Sequence, residues 1–173
     1  MGKVVFVIGG SRSGKTAFAL SLAREAAGEN SRVYIATAQP LDAEMEERIE
    51  KHKAERGSAW ATCEEPLHLG SAVRAASGSY EVAVIDCLTL WVSNLLAGNL
   101  DVEEAQDDFI GSLAAPGRLL RIVVVSNEVG MGIVPENETA RQFRDTAGRL
   151  HQRVAGLADE VYLMVAGIPV KIK

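Results

Sequence analysis

Near its N-terminus the chain reads Gly9-Gly10-Ser11-Arg12-Ser13-Gly14-Lys15-Thr16, which matches the pattern G-x-x-x-x-G-K-[ST]. In a loop of this kind, backbone N–H groups surround phosphate oxygens, Lys15 reaches the β- and γ-phosphates, and the Thr16 hydroxyl is a ligand for Mg²⁺. A chance match in a glycine- and serine-rich turn is the alternative interpretation. The surroundings oppose it, because a buried-strand pattern precedes the motif and a helical pattern follows it. The motif therefore predicts a phosphate-binding loop at residues 9–16.

The composition limits the classes of protein to consider. The chain has 173 residues, of which 47% are hydrophobic and 24% charged, and its formal net charge is −5. These values suit one globular domain, residues 1–173, and the acidic balance argues against a nucleic-acid partner. The apolar run before the motif is too short for a signal peptide or a membrane span, so we expect a cytoplasmic protein. Cys63 and Cys87 lack metal-ligand spacing and are expected to be free thiols.

Apolar strand-like runs alternate with helical patterns along the whole chain. Strands are predicted at Val4–Ile8, Arg32–Ala36, Val82–Ile85, Arg121–Val125 and Glu160–Val165, with an edge tail at Val170–Ile172. Helices are predicted at Thr16–Ala27, Asp42–Arg56, Leu67–Ala75, Thr89–Leu96, Val102–Leu113 and Glu138–Leu157. The alternation favours an α/β fold: a single P-loop NTPase-like domain with a mostly parallel sheet and helices on both faces. Such folds bind ligands at the carboxyl ends of the strands, so we searched the loops there for a site.

Polar residues follow three of the predicted strands. Asp86 follows the third, where a Walker B carboxylate would hold Mg²⁺ beside Thr16; an Asp that only caps the next helix is the weaker alternative. After the second strand, the polar side chains of Ala36-Thr37-Ala38-Gln39-Pro40 could contact a base or ribose, or could equally serve as turn chemistry. Glu128, after the fourth strand, could position a substrate, accept a proton or stabilise its own loop. The residues alone do not decide between the alternatives for the loop after the second strand, nor between those for Glu128.

The helix predicted after the second strand carries Arg48, His52 and Arg56 at i, i+4 and i+8, on one face. Two flanking guanidinium groups would lower the pKa of the imidazole and keep it neutral and nucleophilic, while donating to phosphate oxygens. An exposed, charge-rich surface helix is the alternative, and spacing alone favours it. The remaining histidines and the tryptophans are interpreted as ordinary surface, groove or packing residues: His68, His151, Trp60 and Trp91.

Further segments join the phosphate loop in a pattern that covers essentially the whole chain. They are Tyr34-Ile35-Ala36-Thr37-Ala38, Arg48-Ile49-x-x-His52-Lys53-x-x-Arg56, Trp60-x-Thr62-x-Glu64, Asp86-Cys87-Leu88-Thr89-Leu90-Trp91-Val92-Ser93-Asn94-Leu95-Leu96, Ser126-Asn127-Glu128-Val129-Gly130-Met131-Gly132-Ile133-Val134-Pro135 and Gly167-Ile168-Pro169-Val170-Lys171-Ile172-Lys173. Together they resemble the bifunctional adenosylcobinamide kinase/adenosylcobinamide-phosphate guanylyltransferase family of cobalamin biosynthesis. The resemblance implies a P-loop domain, generally a homotrimer, that phosphorylates the aminopropanol hydroxyl of adenosylcobinamide with ATP or GTP. It then transfers GMP from GTP to that phosphate through a guanylyl-histidine intermediate.

The resemblance also implies the site residues. His52 is the guanylylated catalytic nucleophile, and Thr16 and Asp86 hold Mg²⁺. The residues implied to bind GTP or ATP are Gly9, Gly10, Ser11, Arg12, Ser13, Gly14, Lys15, Thr16, Ala36, Thr37, Ala38, Lys53, Ala54, Glu55, Arg56, Glu64 and Asp86. One bound nucleotide cannot present both its γ- and its α-phosphate to one acceptor in one pose, so the helix with His52 is expected to swing toward the phosphate loop when GTP binds.

Two other functions stay open at this stage. One is a small-molecule kinase with a single activity, in which His52 is a bystander. The other is a non-enzymatic nucleotide switch, which the absence of an Asn-Lys-x-Asp guanine-reading motif from the sequence opposes.

Overall fold

The centre of the fold is a single sheet. A computed structural model describes residues 2–57, 59–115 and 119–173. The strands within these ranges are β1 (Val4–Gly9), β2 (Arg32–Ala36), β3 (Ala61–Glu64), β4 (Val82–Asp86), β5 (Arg121–Asn127), β6 (Glu160–Val165) and β7 (Ile168–Lys171). Their order across the sheet is β3-β2-β4-β5-β1-β6-β7. Neighbouring strands run parallel, except for the antiparallel pair β6 and β7. The mostly parallel sheet predicted from the alternation is confirmed.

Helices cover both faces of this sheet. They are α1 (Lys15–Ala26), α2 (Ala43–Arg56), α3 (Leu69–Ala76), α4 (Leu88–Ala97), α5 (Val102–Ala114) and α6 (Glu138–Leu157). One hydrophobic cluster joins strand residues such as Phe6 and Ile85 to α3, α4, α5 and α6, and a second joins residues such as Val7 and Val84 to α1. Because successive side chains of a strand point to opposite faces, strands that are apolar at every position are buried on both sides.

Helix α2 is held by its ends more than by its packing. The Asp42 carboxylate accepts a hydrogen bond from the Met45 N–H at 2.7 Å, and Gly57, at a φ of 73°, ends the helix by donating its N–H to the Lys53 carbonyl. Among the described side chains of α2, Arg56 alone is buried. The helix therefore owes its form to local capping and charge, and rests on the sheet through its last turn.

Charged groups join the first and last strands. Glu160, at the start of β6, accepts hydrogen bonds from Lys3 and from the Tyr162 hydroxyl, and lies 3.3 Å from the ammonium of Lys171 on β7. The hydrogen bond from Lys3, more than any other contact, lowers the pKa of the Glu160 carboxyl to about 2. Partly exposed pairs of this kind contribute little stability each, so their main effect is on the pH dependence.

The structure departs from the predicted elements in three places. Strand β3 was missed, because its four residues alternate half-buried and exposed at the sheet edge and contain no Val, Ile or Leu. Strand β7 spans Ile168–Lys171, so it begins two residues before and ends one residue before the predicted tail at Val170–Ile172. Asp86 is the last residue of the fourth strand, not the residue after a third. None of the helices in the described ranges combines the length and apolar character that crossing a membrane requires.

Candidate active site

The phosphate loop lies between the end of β1 and the start of α1. Its backbone turns through left-handed conformations at Arg12 (φ 55°) and Gly14 (φ 91°), and α1 begins at Lys15. A Cβ at Gly9 would lie 2.5 Å from the Met164 carbonyl oxygen of β6, so only glycine fits there. Because Gly14 has no side chain to cap the helix, the first N–H groups of α1 suit an anion placed in the loop.

Neighbouring segments and its own lysine hold this loop in shape. Lys15 is 7% exposed, and its ammonium donates to the Gly10 carbonyl at 2.6 Å. The Gly9 carbonyl accepts from the Glu128 N–H at 2.9 Å, and the Ser13 carbonyl accepts from the Gly167 N–H at 3.1 Å. The loop after β5 and the turn between β6 and β7 therefore brace the phosphate loop on two sides.

Asp86 brings the predicted metal ligands together. Its Oδ2 accepts a hydrogen bond from the Thr16 hydroxyl at 2.6 Å, which places the end of β4 beside the start of α1. A hydroxyl and a carboxylate are the hard oxygen donors that Mg²⁺ takes from a protein when phosphates and water supply its other ligands. The described residues contain no cluster of three or more His, Cys, Asp or Glu side chains that could hold a metal by themselves. The donor set thus fits Mg²⁺ bound together with a nucleotide, and the metal role of Asp86 stays a prediction.

Tyr34, on β2, belongs to the same group of contacts and was not predicted as a site residue. Its hydroxyl donates to Asp86 Oδ2 at 2.9 Å, so this oxygen accepts from both Tyr34 and Thr16. Burial, and then the adjacent carboxylate, hold the pKa of the Tyr34 phenol well above its ordinary value. The phenol therefore stays protonated and keeps donating to Asp86. A tyrosine inside an otherwise aliphatic strand is the signal that could have singled it out.

The last turn of α2 reaches this group from the other side. The Arg56 guanidinium carbon lies 3.8 Å from the centre of the Tyr34 ring, and the Arg56 side chain is 7% exposed. Lys53 pairs with Glu64, at the end of β3, at 3.1 Å and with Glu50 at 3.2 Å, and the hydrogen bonds that it donates to these carboxylates raise the Lys53 pKa. The contacts thus join α2, β3, β2, β4 and the phosphate loop.

His52 lies one turn before Arg56 and is half-buried. Ala54 is exposed, and the side chains of Arg48 and Glu55 lie outside the described part of the structure. The Arg56 guanidinium lies over the Tyr34 ring, one helical turn beyond His52. The roles of these residues toward a nucleotide remain predictions.

The loop after β2 uses its polar groups for its own structure. Thr37 is fully buried; its hydroxyl donates to the Cys87 carbonyl and accepts from the Cys87 N–H, both at 2.8 Å. Asn94 donates to the Thr37 carbonyl at 2.8 Å, and the Ala36 carbonyl accepts from Glu65. Ala38 beside them is half-buried. Thr37 therefore ties the end of β2 to the end of β4, which is the structural alternative considered for this loop.

The loop after β5 combines internal hydrogen bonds with exposed apolar side chains. The Glu128 carboxylate accepts from the Gly130 N–H at 2.6 Å, in line with a role in its own loop. Beyond it, Met131, Ile133 and Val134 are exposed by 81%, 96% and 61%. The loop thus presents an apolar surface at the same edge of the sheet as the phosphate loop.

A histidine interpreted as an ordinary surface or groove residue lies behind this loop. His151 Nε2 is 2.7 Å from the hydroxyl of the fully buried Ser126, and its ring packs 5.8 Å from that of Phe6. Burial lowers the pKa of His151, against the opposing effect of Glu128.

The cysteines are free thiols, as predicted, and burial raises the pKa of Cys87 to about 11, which makes it a poor nucleophile.

Known proteins resemble this chain over almost all of its length. Residues 5–172 match the family described as "Cobinamide kinase / cobinamide phosphate guanyltransferase". The bifunctional adenosylcobalamin biosynthesis protein CobU of Escherichia coli K12 is 44% identical over 184 residues, which cover 98% of this chain and 99% of that protein. Its counterpart CobP of Pseudomonas aeruginosa PAO1 is 44% identical over 172 residues, covering 96% and 95%.

The likeness to one solved structure bears on the fold and not on the function. A prototypical ATPase from the type III secretion system of pathogenic bacteria aligns with a TM-score of 0.55 at 12% identity, covering 99% of this chain and 57% of that one. The fold is thus that of a P-loop NTPase-like α/β domain. With the family match and the relatives above, the chain belongs to the bifunctional cobinamide kinase/cobinamide phosphate guanyltransferase family and is an enzyme of cobalamin biosynthesis.

Proposed function

We propose that this enzyme phosphorylates the aminopropanol hydroxyl of adenosylcobinamide with ATP or GTP, and then transfers GMP from GTP to the new phosphate to give adenosylcobinamide-GDP. The observation that carries the proposal is the chain of contacts from the phosphate loop to the helix of His52. The Thr16 and Tyr34 hydroxyls both donate hydrogen bonds to the Asp86 carboxylate, and the Arg56 guanidinium packs over the Tyr34 ring. A kinase-type phosphate site and a helix with a nucleophilic histidine are thereby joined.

In the kinase step, the phosphate loop and Lys15 hold the β- and γ-phosphates while the substrate hydroxyl attacks the γ-phosphorus. An O–P bond forms, the β–γ phosphoanhydride bond breaks, the nucleoside diphosphate leaves and the hydroxyl proton passes to solvent. Thr16 and Asp86 would hold Mg²⁺, which neutralises charge on the phosphate oxygens when it is bound. The exposed apolar side chains of the loop after β5 suit a large corrinoid acceptor near the phosphate loop. Glu128 in that loop would position the acceptor.

In the guanylyl step, a ring nitrogen of the His52 imidazole attacks the α-phosphorus of GTP. A P–N bond forms, the α–β phosphoanhydride bond breaks and pyrophosphate leaves. A phosphate oxygen of adenosylcobinamide phosphate then attacks the same phosphorus, and the P–N bond breaks to restore the imidazole. Lys53, Ala54, Glu55, Arg56 and Glu64 line the nucleotide in this proposal, and Arg56 balances the charge that builds on the phosphoryl oxygens.

Since one phosphate loop serves two reactions, α2 moves between them in this proposal. Its weak lateral packing and its local caps allow it to move as a unit. Proteolysis of residues 41–56 should differ with and without GTP. Identical cleavage patterns would contradict the movement.

The decisive experiment uses GTP labelled at the α-phosphate. The protein should take up the label, the bond should be labile to acid but stable to alkali, and label at the γ-phosphate should not persist. His52→Asn should lose the adduct and the guanylyl transfer but keep the phosphorylation of adenosylcobinamide. His68→Asn, which removes an exposed histidine, is the matched control.

Four results would contradict parts of this proposal. If His52→Asn still takes up the label, or if the label maps to Lys51 or Lys53, the nucleophile is wrong. If wild-type protein transfers the γ-phosphate but never forms the adduct, it is a kinase with a single activity. Lys15→Ala should impair both reactions, and near-normal turnover would refute the phosphate-loop assignment.

The same proposal includes a cytoplasmic homotrimer. Its support is the edge of the sheet at β7, where Ile168, Val170 and Ile172 are 64%, 45% and 61% exposed, together with Val165 at 52%. Sedimentation equilibrium should give three times the monomer mass, and a charged substitution at Ile168 should lower it. A monomer at micromolar concentration would refute the assembly.

A further inference from the structure

Tyr34 is in direct contact with both halves of the site. Its hydroxyl lies 2.9 Å from Asp86 Oδ2, and its ring lies 3.8 Å from the Arg56 guanidinium carbon. Tyr34 is 4% exposed and Arg56 7%, so both contacts are shielded from water. Shielding strengthens a hydrogen bond to a carboxylate and a cation–π contact alike.

The hydroxyl contact fixes the Asp86 carboxylate. Thr16 and Tyr34 both donate to Oδ2, at 2.6 and 2.9 Å, and so hold the carboxylate from two directions. Hydrogen-bonding partners of this kind set the orientation of a metal-binding carboxylate without touching the metal. Tyr34 would thus act on a bound Mg²⁺ through Asp86.

The ring contact fixes the helix of His52. Arg56 is the one buried side chain among those described on α2, and it follows His52 by one helical turn. If the ring were removed, the last turn of α2 would lose the surface on which it rests. Tyr34 thus also determines where α2 lies.

The geometry points to Tyr34 as a positioning residue for both reactions: its hydroxyl orients Asp86 for Mg²⁺, and its ring seats Arg56 and with it the helix of His52. This inference rests on the proposed function. The two roles belong to different atoms of one side chain, so substitutions can separate them. Tyr34→Phe removes the hydroxyl and keeps the ring, whereas Tyr34→Leu removes both.

The first test measures the hydroxyl without turnover. Binding of a non-hydrolysable GTP analogue to the full chain is titrated calorimetrically over a range of Mg²⁺ concentrations, and in EDTA. For Tyr34→Phe, the Mg²⁺ concentration that gives half-maximal tightening should rise about tenfold, while binding in EDTA stays at the wild-type value. An unchanged Mg²⁺ dependence would overturn the role of the hydroxyl.

The second test measures the ring. A glutamate-specific protease cuts α2 at exposed sites such as Glu46 and Glu50, which no variant alters. Cleavage should be several times faster for Tyr34→Leu than for wild type, and Tyr34→Phe should restore the wild-type rate. Equal cleavage of the Phe and Leu variants would overturn the role of the ring.

Tyr34→Leu could fail to fold, so Arg56→Gln provides a second route. It leaves the tyrosine in place but removes the guanidinium that packs on its ring, and should accelerate the cleavage of α2 several-fold. A wild-type cleavage rate would overturn the role of the contact between the Tyr34 ring and Arg56. Neither readout needs the guanylyl adduct, so a missing adduct would refute the proposed function and leave these tests of Tyr34 valid.

Discussion

Replacing Thr37 with valine removes one hydroxyl and keeps the volume and shape of the side chain. That hydroxyl is the acceptor for the buried Cys87 N–H and a donor to the Cys87 carbonyl. The carbonyl keeps a second donor, the Trp91 N–H at 3.2 Å, so the N–H suffers the larger loss. An unsatisfied buried N–H destabilises by about 1–3 kcal/mol. We expect a loss of about 2 kcal/mol in unfolding free energy and about 4–8 °C in Tm.

Urea and thermal unfolding without nucleotide measure this loss, with Thr37→Ser as the control. Serine keeps the hydroxyl and loses one buried methyl, worth about 1 kcal/mol. The serine variant should therefore be the more stable of the two, although valine is the more apolar. If valine melts like wild type while the affinity for a GTP analogue falls, the hydroxyl contacts the nucleotide and the structural assignment is refuted.

Three further predictions use matched pairs or pH. A Cβ at Gly9 would lie 2.5 Å from the backbone of β6, so Gly9→Ala should lower the free energy of unfolding by about 1–3 kcal/mol. A Cβ at Gly10 has no atom within 4 Å, so Gly10→Ala should change that free energy by less than about 0.5 kcal/mol. Urea unfolding measures both variants. Because the pKa of His151 is lowered in the folded state, the unfolded chain binds a proton at higher pH than the folded protein does. The free energy of unfolding, measured in urea, should therefore fall between about pH 7 and about pH 5. His151→Gln should flatten that slope, and His68→Gln should not. The Glu160 pKa is depressed, so the stability gap between wild type and Glu160→Gln in urea should hold above the ordinary value of 4.5 and close as pH falls toward about 2; a gap that stays constant would contradict the pairing.

Most of the fold could be predicted because the buried strands have a clear sequence pattern. Runs such as Val4–Ile8 are apolar at every position and are followed by helical patterns, and each predicted helix begins and ends within two residues of its observed limits. Strand β3 escaped because an edge strand with one face toward solvent carries little apolar signal. Its place in the sheet depends on pairing with β2, which local sequence does not contain.

The site was predictable where a motif prescribes the chemistry. The pattern at residues 9–16 and the strand ending in Asp86 were enough to expect Thr16 and Asp86 as neighbours, and their side chains are 2.6 Å apart. Tyr34 and Ser126 were missed as partners because their contacts cross 52 and 25 residues of chain. The first contact requires β2 and β4 to align in register and the second requires α6 to pack on β5, neither of which local spacing reveals.

The bracing of the phosphate loop bears on how the protein is made. A ribosome completes residues 9–16 early, yet their shape depends on Glu128, on Met164 behind Gly9 and on Gly167 beside Ser13. A nascent chain that has not reached the final hairpin carries the motif without the site. Nucleotide binding can therefore stabilise the protein only at the last stage of folding, after the hairpin of β6 and β7 has formed. Deleting this hairpin should abolish nucleotide binding, although every residue of the motif stays in place.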